Sequence, residues 1–373
     1  MLKVLFLNEG DLGAGVMGHV PVEAAIRIGL EEIEDVDARF ARLPPMGRTA
    51  LALSNDVPLL SSYDLDFQTV RWHVAQGVRA RRALMRELDS FRPDVLHVNS
   101  HTIALGFVDV MARIPTLLSL DATVEGWHTL GAWRKPRRHS RLLLQPSLRR
   151  ERRALAAAAA VLAWTDWARD GALRACSAAR VQTLNPGVDL RTFRPAPHRP
   201  RERPTVLFVG GRFEQKGGFD LIEALAPDLG RTVDLDVVTP VGVPQREGLR
   251  VHRVTRGDPA LVDLYQQADV FCLPTHADSM GWVILEAMAC GTPVIASAVG
   301  GIPDLLDQGR TGVLVPPKDG PRLRSAIAEL LANDGQRAEL GRRSRAVCEE
   351  RYDARRQTAK LVRLMRLAVE QQS

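Results

Sequence analysis

The sequence predicts an α/β protein of two doubly wound parallel sheets, Rossmann-like domains that face each other across a cleft. The chain has 373 residues, and two domains are expected because single hydrophobic cores stop growing at roughly 250 to 300 residues. Short apolar runs alternate with amphipathic stretches, which is the pattern of a parallel sheet covered by helices on both faces. The alternation stops at a proline-rich basic segment and then starts again.

The first half of the chain contains apolar runs bounded by polar residues or glycine, which we interpret as buried strands. They are "KVLFL", "VDARFARL", "DVLHV", "PTLLSL" and "AVLAW". Amphipathic stretches such as "VPVEAAIRIGLEEI" and "VRWHVAQGVRARRALMREL" lie between them and predict helices. Residues 1–187 are therefore predicted as the first domain.

A second series of strand-like runs predicts a second domain of the same type over residues 188–351. The segment "RPAPHRPRERP", from Arg194 to Pro204, lacks apolar periodicity and is interpreted as a linker. It precedes the runs "TVLFVGG", "VDLDVVTP", "VFCLPT", "PVIAS" and "GVLVPP", with helices such as "GWVILEAMACG" between them. The helical stretch 352–373 is expected to cross back to the first domain.

Composition narrows the class of protein. The four cysteines are scattered without a C-x-x-C pair, so neither a disulfide framework nor a zinc site is predicted, and a reducing compartment is favoured. No apolar run approaches the roughly 20 residues of a membrane-spanning helix, and "MLKVLFLNEG" lacks the pattern of a signal peptide. We expect a cytoplasmic protein, or one bound peripherally to the inner face of the membrane.

The net charge of +6 is concentrated between Arg134 and Arg153. This segment is open to three interpretations: a solvated helix face, attraction to anionic lipid, or contact with nucleic acid. A helix with Leu142, Leu143 and Leu144 on its apolar side would suit an anionic membrane surface. No nucleic acid is expected, because only Trp133 flanks the segment and such sites interleave aromatic with basic residues.

The stretch "GAGVMG", Gly13 to Gly18, spells G-x-G-x-x-G but lacks the context of a dinucleotide site. Polar residues separate it from the first strand, and the second strand ends in Arg42 and Leu43, without the acid that binds a ribose. We interpret it as a glycine-rich loop whose amides can approach an anion.

The densest cluster of functional residue types is "LPTHADSMGWVILEAMACGTPVIAS", Leu273 to Ser297. A strand is expected to end near Thr275 and a helix to open at about Trp282, where backbone amides and the helix dipole favour phosphate. Because a carboxylate beside that anion site would repel it, Glu286 is expected to accept hydrogen bonds from ligand hydroxyls, such as those of a ribose. Asp278 lies eight residues earlier and flanks the same site.

The second cluster is "FVGGRFEQKGG", Phe208 to Gly218, at another turn from strand to helix. Arg212 and Lys216 can place two cations against one diphosphate. The glycines around them, including Gly211, let the backbone approach the ligand.

These residues resemble the signature of the family 4 retaining glycosyltransferases, whose fold is GT-B. The specific match is "DSMGWVILEAMACGTPVIAS" followed by "VGGIPDLLDQGRTGVLVPPKD", with support from "NPGVDLRTFRP", "LYQQADVFCLPT" and the N-terminal glycine loop. The resemblance implies that Arg212 and Lys216 bind the donor diphosphate and that Glu286 holds the ribose. It implies that Asp278 contacts the donor sugar together with loop amides. The donor-binding residues expected are Gly13, Gly15, Gly211, Met280, Gly281, Trp282 and Glu286.

One departure concerns the first acid of the family's E-x7-E pattern, which is usually glutamate and here is Asp278. Its carboxylate is one methylene shorter, which affects its reach to sugar hydroxyls. In the first domain, "PDVLHVNSH" resembles a strand that ends in a histidine motif, with His97 and His101 as candidates, and "LSLDATVEGW" adds Asp121 and Thr123. The catalytic candidates are Arg212, Lys216, Asp278, Asp121 and His101.

The predicted function is transfer of a sugar from a nucleoside-diphosphate sugar to a hydroxyl of a glycan, a lipid-linked saccharide or a small molecule. Paired carboxylates also suggest a glycoside hydrolase, but such an enzyme binds no diphosphate. The D-x-D pairs at residues 35 and 37, 64 and 66, and 234 and 236 suggest a metal-dependent transferase. We expect no metal and no cofactor, because two cations can stabilise a departing diphosphate. The alternative class is an inactive glycosyltransferase-like binding protein.

Overall fold

A computed structural model describes residues 1–9, 20–55, 57, 59–60, 66–131, 140–199 and 201–372. The chain divides into two compact units. Unit 1 is Met1–Pro186 with Arg355–Ser373, and unit 2 is Gly187–Ala354. The sequence analysis placed the corresponding boundaries at residues 187/188 and 351/352.

Unit 1 contains a six-stranded parallel sheet in the order β2-β1-β3-β4-β5-β6. Its strands are β1 Leu2–Asn8, β2 Val36–Arg42, β3 Val95–Asn99, β4 Thr116–Leu120, β5 Ala160–Ala163 and β6 Val181–Thr183. The α-helices of this unit are Val20–Leu30, Arg48–Ser54, Gln68–Leu88, His101–Ala104, Val108–Met111, Val124–Leu130, Ser140–Leu143, Gln145–Ala157, Asp166–Ala175 and Ala354–Glu370, the last beginning one residue before the unit boundary.

Unit 2 contains a second six-stranded parallel sheet, in the order β9-β8-β7-β10-β11-β12. Its strands are β7 Thr205–Val209, β8 Asp234–Val238, β9 Leu249–His252, β10 Val270–Leu273, β11 Val294–Ser297 and β12 Val313–Val315. The α-helices are Gly218–Leu225, Pro259–Gln267, Trp282–Ala289, Ile302–Leu305, Gly320–Leu331 and Asp334–Arg351, and a 3₁₀ turn spans Asp307–Gly309. The predicted fold class is confirmed: both units are α/β with parallel sheets.

The central strands are continuous apolar runs because helices cover both faces of each sheet. Every residue of β3, β4, β7, β10 and β11 is buried. The C-terminal helix Ala354–Glu370 packs within unit 1, where Arg366 pairs with Asp35 at 2.6 Å and Arg355 pairs with Glu32 at 2.8 Å. In the described part of the chain, no helix is both long and apolar enough to cross a membrane.

The segment Arg194–Pro204 has no regular secondary structure where it is described, but its side chains contact unit 2. Arg199 pairs with Asp263 at 3.0 Å, and Arg203 pairs with Asp234 at 3.0 Å. These ion pairs fasten the segment to unit 2, so the interpretation as a linker is wrong for this stretch.

Candidate functional site

The sheet of unit 2 has a topological switch point between β7 and β10. The strand order runs outward in one direction from β7 to β9 and in the other direction from β10 to β12. In open α/β sheets, ligands bind beyond the carboxyl ends of the two strands at such a point. Both sequence clusters follow these two strands, at residues 210–217 after β7 and 274–281 after β10.

The two loops are in direct backbone contact. The amide of His276 donates to the carbonyl of Gln215 at 2.9 Å. Gly217 has φ +77°, and a Cβ there would lie 2.0 Å from the carbonyl oxygen of Pro274, so only glycine permits this approach. The sequence clusters that were predicted to act together are therefore adjacent.

Two cations of the β7 loop lie at this junction. The ammonium of Lys216 pairs with Oδ2 of Asp278, and the two side chains are 24% and 9% exposed. Arg212 donates from Nη1 to Oε1 of Gln215 at 3.0 Å, and burial lowers the pKa of its guanidinium. A half-buried guanidinium has lost part of its hydration, which an anionic ligand would replace.

Asp278 also engages the amides that the sequence analysis assigned to the donor. Its Oδ1 accepts from the amide of Gly281 at 3.0 Å and from that of Met280 at 3.3 Å. Gly281 has φ +73° and precedes the helix Trp282–Ala289, whose start agrees with the predicted position. In this structure the carboxylate of Asp278 is directed to its own loop and to Lys216.

Glu286, the second acid, is almost wholly buried and is bonded at both oxygens by protein donors. Arg256 Nη2 donates to Oε1 at 2.5 Å, and the Tyr265 hydroxyl donates to Oε2 at 2.8 Å. Burial raises the pKa of the Glu286 carboxyl, while Arg256 and Tyr265 act in the opposite direction. The Arg256 guanidinium also lies 5.8 Å from the ring centroid of Trp282.

Sequence reasoning missed Arg256 and Tyr265. Arg256 follows β9, a strand that was not predicted, so its loop had no assigned place in the sheet. Tyr265 lies in "LYQQADVFCLPT", which was quoted for the family resemblance without a role for the tyrosine. The helix Pro259–Gln267 positions its hydroxyl against Glu286.

The candidates of unit 1 lie within β3 or just after β3 and β4. His97 is buried in β3 with its Nε2 2.8 Å from Ser119 Oγ, and burial lowers its pKa to about 3, as for a neutral core histidine. His101 is also buried and lies 3.3 Å from Oε1 of Glu151. Asp121, directly after β4, is half-buried.

Glu151 is a second residue that sequence reasoning missed. It lies in the helix Gln145–Ala157 and is fully buried. Its Oε1 accepts from the amide of Val124 at 2.8 Å, and burial raises the pKa of its carboxyl to about 8. The basic run "SLRRERR" around it had been interpreted only as part of a charged segment.

Several predictions fall partly or wholly outside the described residues. Gly13 and Gly15 do, as do residues 132–139 of the basic segment. Within its described part, the predicted apolar face of three leucines does not form: Leu142 is exposed, Leu144 is buried, and the first helix ends at Leu143. The reason is the break between the helices Ser140–Leu143 and Gln145–Ala157, which separates Leu144 from the other two leucines.

Each of the three D-x-D pairs has at least one described aspartate in an ion pair, as Asp35 has with Arg366. Asp234 and Asp236 are buried in β8 and pair with Arg250 at 2.9 and 2.7 Å. Asp66 pairs with Arg71 at 2.6 Å. Among the described residues, no three histidine, cysteine or acidic side chains lie close enough together to hold a metal ion.

Comparisons with known proteins match each unit to a glycosyltransferase profile. Residues 46–192 match the profile described as "Glycosyltransferase Family 4", and residues 203–333 match "Glycosyl transferases group 1". A curated relative, the D-inositol 3-phosphate glycosyltransferase of Kribbella flavida, is 36% identical over 193 residues, which cover 44% of this chain and 46% of the relative. The chain thus spans about half the length of the curated relatives it matches.

Solved structures share the fold over nearly the whole chain at low identity. Sucrose-phosphate synthase from Thermosynechococcus elongatus has a TM-score of 0.74 and 20% identity, covering 98% of this chain and 99% of that one. Anabaena Alr3699/HepE, solved in complex with UDP, has a TM-score of 0.69 and 17% identity, covering 97% and 99%. At these identities the likeness establishes the GT-B fold alone.

Proposed function

Because the chain belongs to glycosyltransferase family 4, we propose that it transfers a sugar, with retention, from a nucleoside-diphosphate sugar to an acceptor hydroxyl. The observation that carries the proposal is the junction of the β7 and β10 loops at the switch point of unit 2. There Lys216 pairs with Asp278 of the loop that precedes the helix Trp282–Ala289, and Arg212 lies in the same β7 loop as Lys216. Cations and helix N-termini are the groups that bind phosphates in proteins.

In the proposed mechanism, breakage of the bond between the sugar and the diphosphate develops negative charge on the β-phosphate. Arg212 and Lys216 neutralise this charge, in the way that preorganised donors stabilise other developing anions. The amides of Met280 and Gly281 add peptide dipoles once they are released from Asp278. The acceptor hydroxyl then forms its bond to the anomeric carbon on the face that the diphosphate leaves, and its proton passes to the departing diphosphate oxygen.

The proposal also concerns the base of the donor and the class of the acceptor. A fold neighbour was solved with UDP, which supports a uridine diphosphate sugar as the first donor to test. The curated relatives are named for D-inositol 3-phosphate, which supports a small phosphorylated polyol beside the saccharide and lipid-linked acceptors predicted above.

A panel of sugar nucleotides tests the proposal. The purified protein is screened for slow hydrolysis of UDP-, GDP- and ADP-sugars and for a rise in melting temperature with the bare nucleoside diphosphates. A nucleotide at 100 times its Kd stabilises the folded state by about 2.7 kcal/mol. Stabilisation together with hydrolysis supports an enzyme; stabilisation without any turnover supports the inactive binding protein; and no response to any nucleotide would refute both.

A further inference from the structure

We propose that Asp278 is a positioning residue: in the ligand-free protein its carboxylate pairs with the ammonium of Lys216. The donor diphosphate must displace this carboxylate in order to bind. This inference rests on the proposed function. It gives Asp278 a role in the ligand-free protein, beside the contact with the donor sugar that the family resemblance implied.

The contacts of Asp278 are those that a phosphoryl group would make. One carboxylate oxygen pairs with the ammonium of Lys216, and the other accepts from the amides of Gly281 and Met280 at 3.0 and 3.3 Å. An ammonium and two amides at the start of a helix form a set of donors suited to a phosphate oxygen. Since the Asp278 side chain is only 9% exposed, the carboxylate and a phosphate cannot both occupy this position.

The short side chain explains this arrangement. Aspartate accepts hydrogen bonds from amides two and three residues ahead in its own loop, a geometry that aspartate shares with asparagine and serine. Asp278 makes these bonds to Met280 and Gly281. A glutamate at this position would carry its carboxylate one methylene farther from these amides.

The backbone around the pair is fixed, so the exchange has to occur by side-chain rotation. The bond from His276 to Gln215 and the contact of Gly217 with Pro274 hold the two loops together. Lys216 has four rotatable side-chain bonds, and its side chain is 24% exposed, which gives its ammonium freedom to turn toward a ligand. The affinity for a diphosphate is then set by competition between two anions for one ammonium.

The test is a double-mutant cycle read out by calorimetric titration with UDP and GDP. Asp278→Asn removes the charge and keeps an oxygen that can accept from the Gly281 amide. We expect it to bind the nucleotide more tightly, by about five-fold, the size of a partly exposed ion pair. In the Lys216→Met background, the same substitution should give a much smaller gain because the contested ammonium is absent.

Controls separate this effect from a general change of charge or fold. Asp220→Asn removes the carboxylate that lies 2.9 Å from His276 Nε2, near the same loops, and should leave nucleotide affinity unchanged. Asp278→Ser keeps an acceptor for the amides without a charge and should behave like Asp278→Asn, which guards against misfolding of one variant. Equal or weaker binding by both variants, or an equal gain without Lys216, would overturn the inference. If the wild-type protein binds none of the nucleotides UDP, GDP and ADP, the proposed function itself fails.

Discussion

Glu286 combines burial with bonds at both of its carboxylate oxygens. Its donors are Arg256 and the hydroxyl of Tyr265, at 2.5 and 2.8 Å. A buried donor that loses its acceptor destabilises the folded state by the full free energy of its desolvation. Glu286 therefore stabilises unit 2. A ribose that bonds to Glu286 would have to share the carboxylate oxygens with these two donors.

Replacing Glu286 should consequently affect both stability and binding. Glu286→Ala is expected to lower the free energy of unfolding by about 2 kcal/mol, because the buried Tyr265 hydroxyl and the partly exposed Arg256 guanidinium lose their acceptor. It is also expected to weaken UDP or GDP binding by about ten-fold, the value of one lost hydrogen bond to a charged group. Urea unfolding and calorimetry measure the two effects.

Glu286→Gln is the matched control, since it keeps the volume and one oxygen acceptor. It should fall between the wild-type protein and Glu286→Ala in both measurements. Nucleotide affinity that is equal in all three proteins would remove Glu286 from the donor site and leave it a structural residue.

The sequence was sufficient to predict which residue types meet at the donor site but not how they pair. Arg212, Lys216, Asp278 and Glu286 were identifiable because each follows a strand in a recognisable stretch. Their roles as ligand contacts stay predictions. The pairs Lys216–Asp278 and Arg256–Glu286 join positions 62 and 30 residues apart, so they depend on strand order, which local patterns do not encode.

The helix Gln145–Ala157 has a charged sequence, yet one of its faces is buried. It has arginines on its exposed side, yet Ser147 and Glu151 face inward. Ser147 Oγ lies 2.8 Å from His73 Nδ1, and burial lowers the pKa of His73 to about 4. The helix therefore carries a buried polar cluster within unit 1.

Glu151 should make stability depend on pH in a defined direction. Burial raises its pKa from 4.5 to about 8, so between these values the folded chain holds a proton that the unfolded chain has released. The free energy of unfolding then falls as pH rises through this window, by up to about 1.4 kcal/mol per pH unit. Glu151→Gln cannot ionise and should gain stability relative to the wild-type protein from pH 5 to pH 8.

Urea unfolding of the two proteins at pH 5, 6, 7 and 8 measures this difference. His101, whose Nε2 lies 3.3 Å from Glu151 Oε1, is present in both proteins. A stability difference that stays constant across the four pH values would contradict a buried acid at this position.

The strands that sequence reasoning missed lie at sheet edges. The ten predicted runs all overlap strands of the structure. The two that were missed, β6 Val181–Thr183 and β9 Leu249–His252, are edge strands with exposed residues and polar side chains such as Gln182 and Arg250. An edge strand needs no continuous apolar run, so it leaves a weak pattern in the sequence.

At the scale of the whole molecule, the chain repeats one architecture twice with different strand orders. Unit 1 runs β2-β1-β3-β4-β5-β6, while unit 2 runs β9-β8-β7-β10-β11-β12. Apart from Gly13 and Gly15, all predicted donor contacts belong to unit 2, and they cluster at its switch point. Donor chemistry should therefore depend on the loops after β7 and β10.

Turnover of the sugar nucleotide identified in the panel, compared between the wild-type protein and Lys216→Ala, tests this dependence. We expect kcat to fall by about 100-fold or more, by analogy with the removal of one donor to a developing anion. Lys360→Ala, which removes an exposed lysine of the C-terminal helix, should retain full activity. Wild-type kcat in Lys216→Ala would contradict the assignment of the β7 loop to the departing diphosphate.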